Sequence, residues 1–228
     1  VAAKIEATEM LRPGLLAGVG AVVARAAGAA TIEQGAALTA SVAGACRELG
    51  ASVFECDLAA SGDLEADDAV TGACVEQALA ELGEVNVLLV DTASVFAAAR
   101  GDDGAGAEGS SVTTGTAALV RALEASWRVT QAVANAAFIE PGTGGRILFI
   151  APPPDAGEQA RAGLENLART LSIEWARYAI MPLAIAPGAA TSPTEIAALA
   201  GYLASPAGDY FSGCVLDWGG DGAAAPRR

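Results

Sequence analysis

The chain has 228 residues, of which 53% are hydrophobic and only 5% aromatic, so an aliphatic core large enough for one α/β domain is available without metal or disulfide support. Thirteen basic residues face 27 acidic ones, a formal charge of −14, and such a surface repels phosphate backbones and anionic lipid headgroups. Nucleic-acid and membrane-surface functions are therefore excluded, and no apolar run approaches the roughly 20 residues of a membrane span. There is no histidine and one lysine, Lys4, so any mechanism needing an imidazole base or a central lysine is ruled out by inventory.

Strand-like and helix-like segments alternate, which predicts βαβ units around a parallel sheet. A first strand is expected at Ile5–Leu11, followed by a glycine-rich turn at Pro13–Gly20 and a helix at Ala21–Ala27 closed by Gly28. A short apolar stretch at Ala29–Ile32 and a helix at Ala36–Leu49 come next, then a buried strand at Ala51–Cys56 entering Asp57. Ala66–Leu82 reads as a helix ended by Gly83, and Val85–Val90 is the most strand-like run of the chain.

Residues 98–112 are rich in glycine and acid and predict a surface loop. Helices are expected at Thr116–Phe138 and Ala156–Arg177, separated by a strand at Arg146–Ile150 and by Pro152–Pro154, which suit neither helix interior nor central strand. Ala160, Leu164, Leu167, Leu171 and Trp175 recur at spacings of three and four and form one apolar face. A strand at Leu183–Ala186 stops at Pro187-Gly188; a short helix at Thr194–Ala204 and a last strand at Gly213–Trp218 follow. Residues 1–220 make one domain, and 221–228 are expected to be a disordered tail. Cys46, Cys56, Cys74 and Cys214 show no metal-ligand spacing and read as buried free thiols of a cytoplasmic protein.

Several segments resemble the short-chain dehydrogenase/reductase family. Gly14, Gly18 and Gly20 have its GxxxGxG spacing; Leu-Leu-Val-Asp91-Thr92-Ala93-Ser94 stands where the family has an Asn-Asn-Ala-Gly strand end. Gly145-Arg-Ile-Leu-Phe-Ile, Ala162-Gly-Leu-Glu-Asn-Leu, Pro187-Gly188 and Phe211–Gly220 are similar to the serine strand, the catalytic helix, the loop after it and the final strand. The resemblance implies an α/β fold with a single Rossmann-type doubly wound parallel sheet flanked by helices. It also implies a vestigial cofactor site at Gly14, Gly18, Gly20 and Asp57, the last at the position used near adenine.

The family's catalytic groups are missing. Its asparagine, serine, tyrosine and lysine positions carry Ala122, Ala151 or Pro152, Gly157 and Arg161, and Arg161 is expected to pair on the helix surface with Glu158 or Glu165. Asp91 and Thr92 replace cleft-lining amides, and Glu33 is a poor grip for an adenosine ribose. Only Ala189–Thr194 separate Pro187-Gly188 from Glu195, so the substrate loop is shortened.

The resemblance therefore implies a non-catalytic member, similar to the inactive subunit of heteromeric hydroxyacyl-CoA dehydrogenases of the benzylsuccinate-pathway type. Such a chain binds no cofactor itself; NAD sits in an active partner subunit, docked through helices 116–138 and 156–177 and strand 213–218. Two rival readings are a stand-alone NAD(P)-dependent reductase with atypical groups and a nucleotide- or acyl-CoA-sensing binding module.

Overall fold

In the computed structural model, which describes residues 10–27, 33–104 and 111–218, six parallel strands form one sheet. They are β1 (Gly20–Ala26), β2 (Ser52–Leu58), β3 (Val87–Asp91), β4 (Gly145–Ile150), β5 (Ile180–Pro187) and β6 (Val215–Trp218). Their order is β2-β1-β3-β4-β5-β6, so β2 and β6 are the edges. The helices are α1 (Glu33–Glu48), α2 (Leu64–Leu82), α3 (Thr92–Gly104), α4 (Ser111–Val133), α5 (Pro154–Glu174) and α6 (Pro193–Ala204).

Two apolar layers result. Val22, Leu88, Phe149 and Ala184 face a core shared with α2, α3, α4 and α5. Ala21, Val23, Leu89, Leu148 and Ile185 face the other side, where α1 and α6 lie. The expected α/β architecture with a doubly wound parallel sheet is thus observed.

The central strands are apolar on both faces, which is why β1 escapes a periodicity reading. Ala21–Ala26 is not a helix: Gly20–Ala26 is a strand. Alanine-rich runs favour helix by propensity, but here a parallel ladder on both sides decides. The glycine-rich turn Pro13–Gly20 exists, but it enters β1 from the N-terminal edge of the sheet. Gly14 and Gly18 have φ of 74° and 81°, a conformation that favours glycine.

Further differences follow. Of the strand expected at Ile5–Leu11, residues 5–9 lie outside the described residues, and Met10 and Leu11 are not strand. The stretch Ala29–Ile32 and the tail 221–228 also lie outside them. Residues 98–104 belong to α3 and 111–112 to α4 rather than to a loop; 105–110 are not described. The last strand starts at Val215 rather than Gly213. Two cysteines are not free: Cys56 of β2 and Cys74 of α2 are joined in a disulfide with Cα atoms 6.0 Å apart, because the two elements pack face to face.

Local signals fix the helix ends. Asp63 caps α2 by accepting from the Ala66 N–H; Ser192 and Glu195 form a capping box that starts α6; Pro154 opens α5 at the one place a proline costs no hydrogen bond. The helix expected at Thr116–Phe138 is α4 followed by a π-helical turn at Ala134–Ile139.

Asp67 ties α2 to α4. Its buried carboxylate accepts from Ser61 N–H and Oγ, from Gly62 N–H and from Arg128, at 3.2 Å for the guanidinium. Burial pushes the carboxyl up, but these donors and the Arg128 charge outweigh it and hold the group below the usual 3.8. Its contribution is therefore present above the unfolded-state value and is lost as pH falls through the lower folded one. Asp67→Ala should cost about 2 kcal/mol in urea unfolding at pH 7, since it leaves the Ser61 and Gly62 donors without their acceptor while Arg128 keeps Asp68 at 3.0 Å. The gap from the parent chain should shrink when the same titration is run below pH 3.8.

Candidate functional site

In an open parallel sheet the ligand crevice lies beyond the carboxyl ends of the strands, where the chain reverses its direction of winding. That point falls here between β1 and β3. It is laced shut by the chain's own groups. Ala26 N–H donates to Ser94 Oγ at 3.1 Å, and Ser94 Oγ donates to the Asp91 carbonyl at 2.8 Å. The Asp91 carboxylate, 1% exposed, accepts from Ser94 N–H at 3.0 Å and from Thr39 Oγ1 of α1 at 2.5 Å. Thr92 Oγ1 and Ser126 Oγ, both buried, meet at 3.0 Å and join α3 to α4 beside it.

Next to this lock, on the α1 side of the sheet, runs a ladder of ion pairs. Arg25 Nε donates to Asp57 at 2.8 Å and its NH1 lies 3.0 Å from Glu55, which also pairs with Arg47 at 2.8 Å. The hydrogen bond to Asp57 and the surrounding carboxylates raise the Arg25 pKa. Asp57 is therefore not a residue following a third strand. It belongs to β2, the second strand and an edge, where it sits opposite Arg25 in the ladder register.

The vestigial cofactor glycines are displaced. Gly14, Gly18 and Gly20 precede β1, whereas a phosphate loop must follow it. A side chain at Gly20 would run into the Glu84 backbone, so this glycine serves a close chain crossing. The segment that does follow β1, residues 27–32, has one glycine, Gly28, and residues 28–32 lie outside those described. Among the described residues, the carboxylate lock and the ion-pair ladder do not fit a dinucleotide: the groups lining the crevice are acidic or already paired.

Of the positions singled out by resemblance, Pro152, Gly157 and Arg161 lie together where β4 and β5 end and α5 begins. Ala122 is buried in α4, and Ala151 and Pro152 end β4. A Cβ built on Gly157 would lie 2.6 Å from Pro152 Cγ and 3.1 Å from Phe96 Cε1. The space a phenol would need is therefore filled by Phe96 and Pro152. Arg161 does not pair with Glu158 or Glu165. Its guanidinium donates to the carbonyls of Pro152 at 3.0 Å and Pro187 at 2.7 Å and approaches Asp217 at 3.5 Å, while Glu165 pairs with Arg169. A pinned arginine, two apolar side chains and a glycine supply no proton donor or acceptor.

No tyrosine substitutes. Tyr178 lies just before β5, Tyr202 in the last turn of α6, and Tyr210 beside Asp209, which pairs with Arg146 at the start of β4. All three are at the amino ends of the strands, opposite the crevice. Arg25, Thr39, Ser94 and Phe96 were not singled out from sequence. Only Arg25 left a signal, as a lone charge in an apolar run.

Among solved structures, the fold is similar to a hydroxysteroid dehydrogenase from Escherichia coli, with a TM-score of 0.65 and 20% identity over 92% of this chain and 100% of that one. It is also similar to a short chain dehydrogenase from Mycobacterium smegmatis (TM-score 0.65, 21% identity, 92% and 95% covered). A third is a citronellol catabolism dehydrogenase from Pseudomonas aeruginosa (TM-score 0.62, 21% identity, 91% and 95% covered). The fold is that of the short-chain dehydrogenases/reductases. No family model and no curated protein matches the sequence.

Two outcomes are expected at the site. Gly157→Tyr should give no nicotinamide turnover in an absorbance assay at 340 nm and should destabilise the chain by about 2 kcal/mol, because the pocket is already full. Burial holds the Asp91 carboxyl above 3.8, offset in part by Thr39, Ser94 and Arg25. A raised acid favours the protonated folded state, so its contribution is largest below 3.8 and declines as pH rises through the folded value. Asp91→Asn should therefore gain in melting temperature relative to the parent chain between pH 4 and pH 7, whereas Asp91→Ala should lose at both.

Proposed function

We propose that this chain is a non-catalytic, short-chain-dehydrogenase-like subunit of a heteromeric NAD-dependent dehydrogenase, stabilising a catalytically competent partner of the same fold. The filled pocket at Gly157 carries the reading. A protein with no acid or base at the position of chemistry retains value only through what it binds. The internally bonded rim between β1 and β3 supports the same reading, in which NAD belongs to the partner. By analogy with heteromeric members of the resembling family, the complex oxidises a 3-hydroxyacyl thioester or a related substrate, in the cytoplasm.

The docking surface is assigned to α4, α5 and β6. Trp127 of α4 and Trp175 at the end of α5 stack at 5.9 Å between centroids, and Leu123 of α4 packs against Gly163 of α5, so the pair forms a stiff unit. Its outward stripe on α5 includes Ala162, Asn166 and Ile173, the last 79% exposed. β6 leaves one edge unpaired among the described residues, and Trp218 at its end is half exposed.

The test is co-expression with catalytically competent short-chain dehydrogenases from the same genome, followed by size-exclusion chromatography and turnover assays. A mixed oligomer whose activity exceeds that of the partner alone is expected. Ala162→Arg with Ile173→Asp should weaken association at least about tenfold while leaving the fold intact, because charge is forced into a dry interface. A chain that turns over NAD(P) by itself, or that remains a homomer in the presence of the partner, refutes the proposal.

A further inference from the structure

β2 is one of the two edge strands of the sheet, and α2 covers it. β2 is paired on one side only among the described residues, with β1. α2 covers it with a narrow buried stripe, Thr71, Val75 and Ala78, plus the Asp67 tie at its first turn. Cys56 lies at the centre of β2 and is fully buried; Cys74 lies at the centre of α2 and is half-buried. Their Cα separation of 6.0 Å is within the span of a disulfide, and 18 residues of chain separate them. The bond ties this edge strand to the helix that covers it.

The other two thiols are poor competitors for exchange. Burial pushes Cys46 up to about 11 and also raises Cys214, so both are protonated at neutral pH. Within the pair, Cys74 is the partly exposed residue and Cys56 the buried one.

We propose that Cys56 and Cys74 form a reversible disulfide staple that fixes α2 to the edge strand β2, so that the stability of this end of the sheet follows the thiol–disulfide balance of the surroundings. Opening requires two equivalents of a small thiol. A thiolate attacks Cys74 Sγ, forming a mixed disulfide and releasing Cys56 as thiolate. A second thiolate then attacks the small-molecule sulfur of that mixed disulfide and releases Cys74, leaving an oxidised small-molecule disulfide and two protein thiols. Closure runs the same two steps backwards with a small-molecule disulfide as oxidant. In a reducing cytoplasm the dithiol is the resting form, and oxidative exposure sets the staple.

The full chain would be treated with oxidised or reduced glutathione, denatured, and its thiols counted, with peptide mapping to locate the bond. Two reactive thiols after oxidation and four after reduction are expected. The melting temperature should fall by about 6–12 °C on reduction, the effect of releasing a loop of this length in a chain of this size. Cys74→Ala should melt like the reduced protein and ignore the reagent, and hydrogen exchange should show lost protection confined to α2 and β2. Four reactive thiols after oxidation, a bond mapped to Cys46 or Cys214, or a melting shift that persists in Cys74→Ala would each overturn the proposal.

Discussion

Parallel strands in the middle of a sheet must be covered on both faces, and most of this molecule answers that demand. Val22, Val23, Leu88 and Leu89 are buried to within 1% on alternating sides, so the middles of β1 and β3 carry only apolar side chains. Polar groups are pushed to the carboxyl ends, where strands meet their helices: Arg25, Asp57, Asp91 and, from α5, Arg161. In the solved dehydrogenases of this fold that rim is where a ligand crevice opens. Here it is turned inward, and each of these groups has a protein partner.

The inward turn has a consistent electrostatic logic. A carboxylate buried at the crevice, as Asp91 is, carries a desolvation cost of several kcal/mol unless donors surround it. Thr39 and Ser94 supply those donors, and the charge of Arg25 adds to them. Arg161 makes the corresponding bargain at the other end of the rim, satisfying the carbonyls of Pro152 and Pro187 that end β4 and β5. Groups that are fully satisfied internally are held rigid.

Much of the architecture was legible because long amphipathic helices and apolar strands carry strong local patterns. α5 could be read from Ala160, Leu164, Leu167 and Leu171, and β3 from its apolar run, since burial alone selects those residues. The glycine at position 157 was equally readable: it lacks a side chain in any conformation. The glycine fingerprint failed for a different reason. Spacing cannot say whether a glycine turn enters or leaves a strand, and the alanine-rich β1 gave no period to decide it.

The sequence by itself determined the fold class, the glycine at position 157 and the net charge of −14, because these follow from side-chain inventory and local periodicity. Only the tertiary structure decided that Gly14, Gly18 and Gly20 precede β1, that Arg161 is bonded to two carbonyls, that Phe96 and Pro152 crowd Gly157 and that Cys56 meets Cys74. Each of those facts depends on which segments become neighbours across the sheet, and that choice is made by burying both faces of the strands at once rather than by any short stretch of chain.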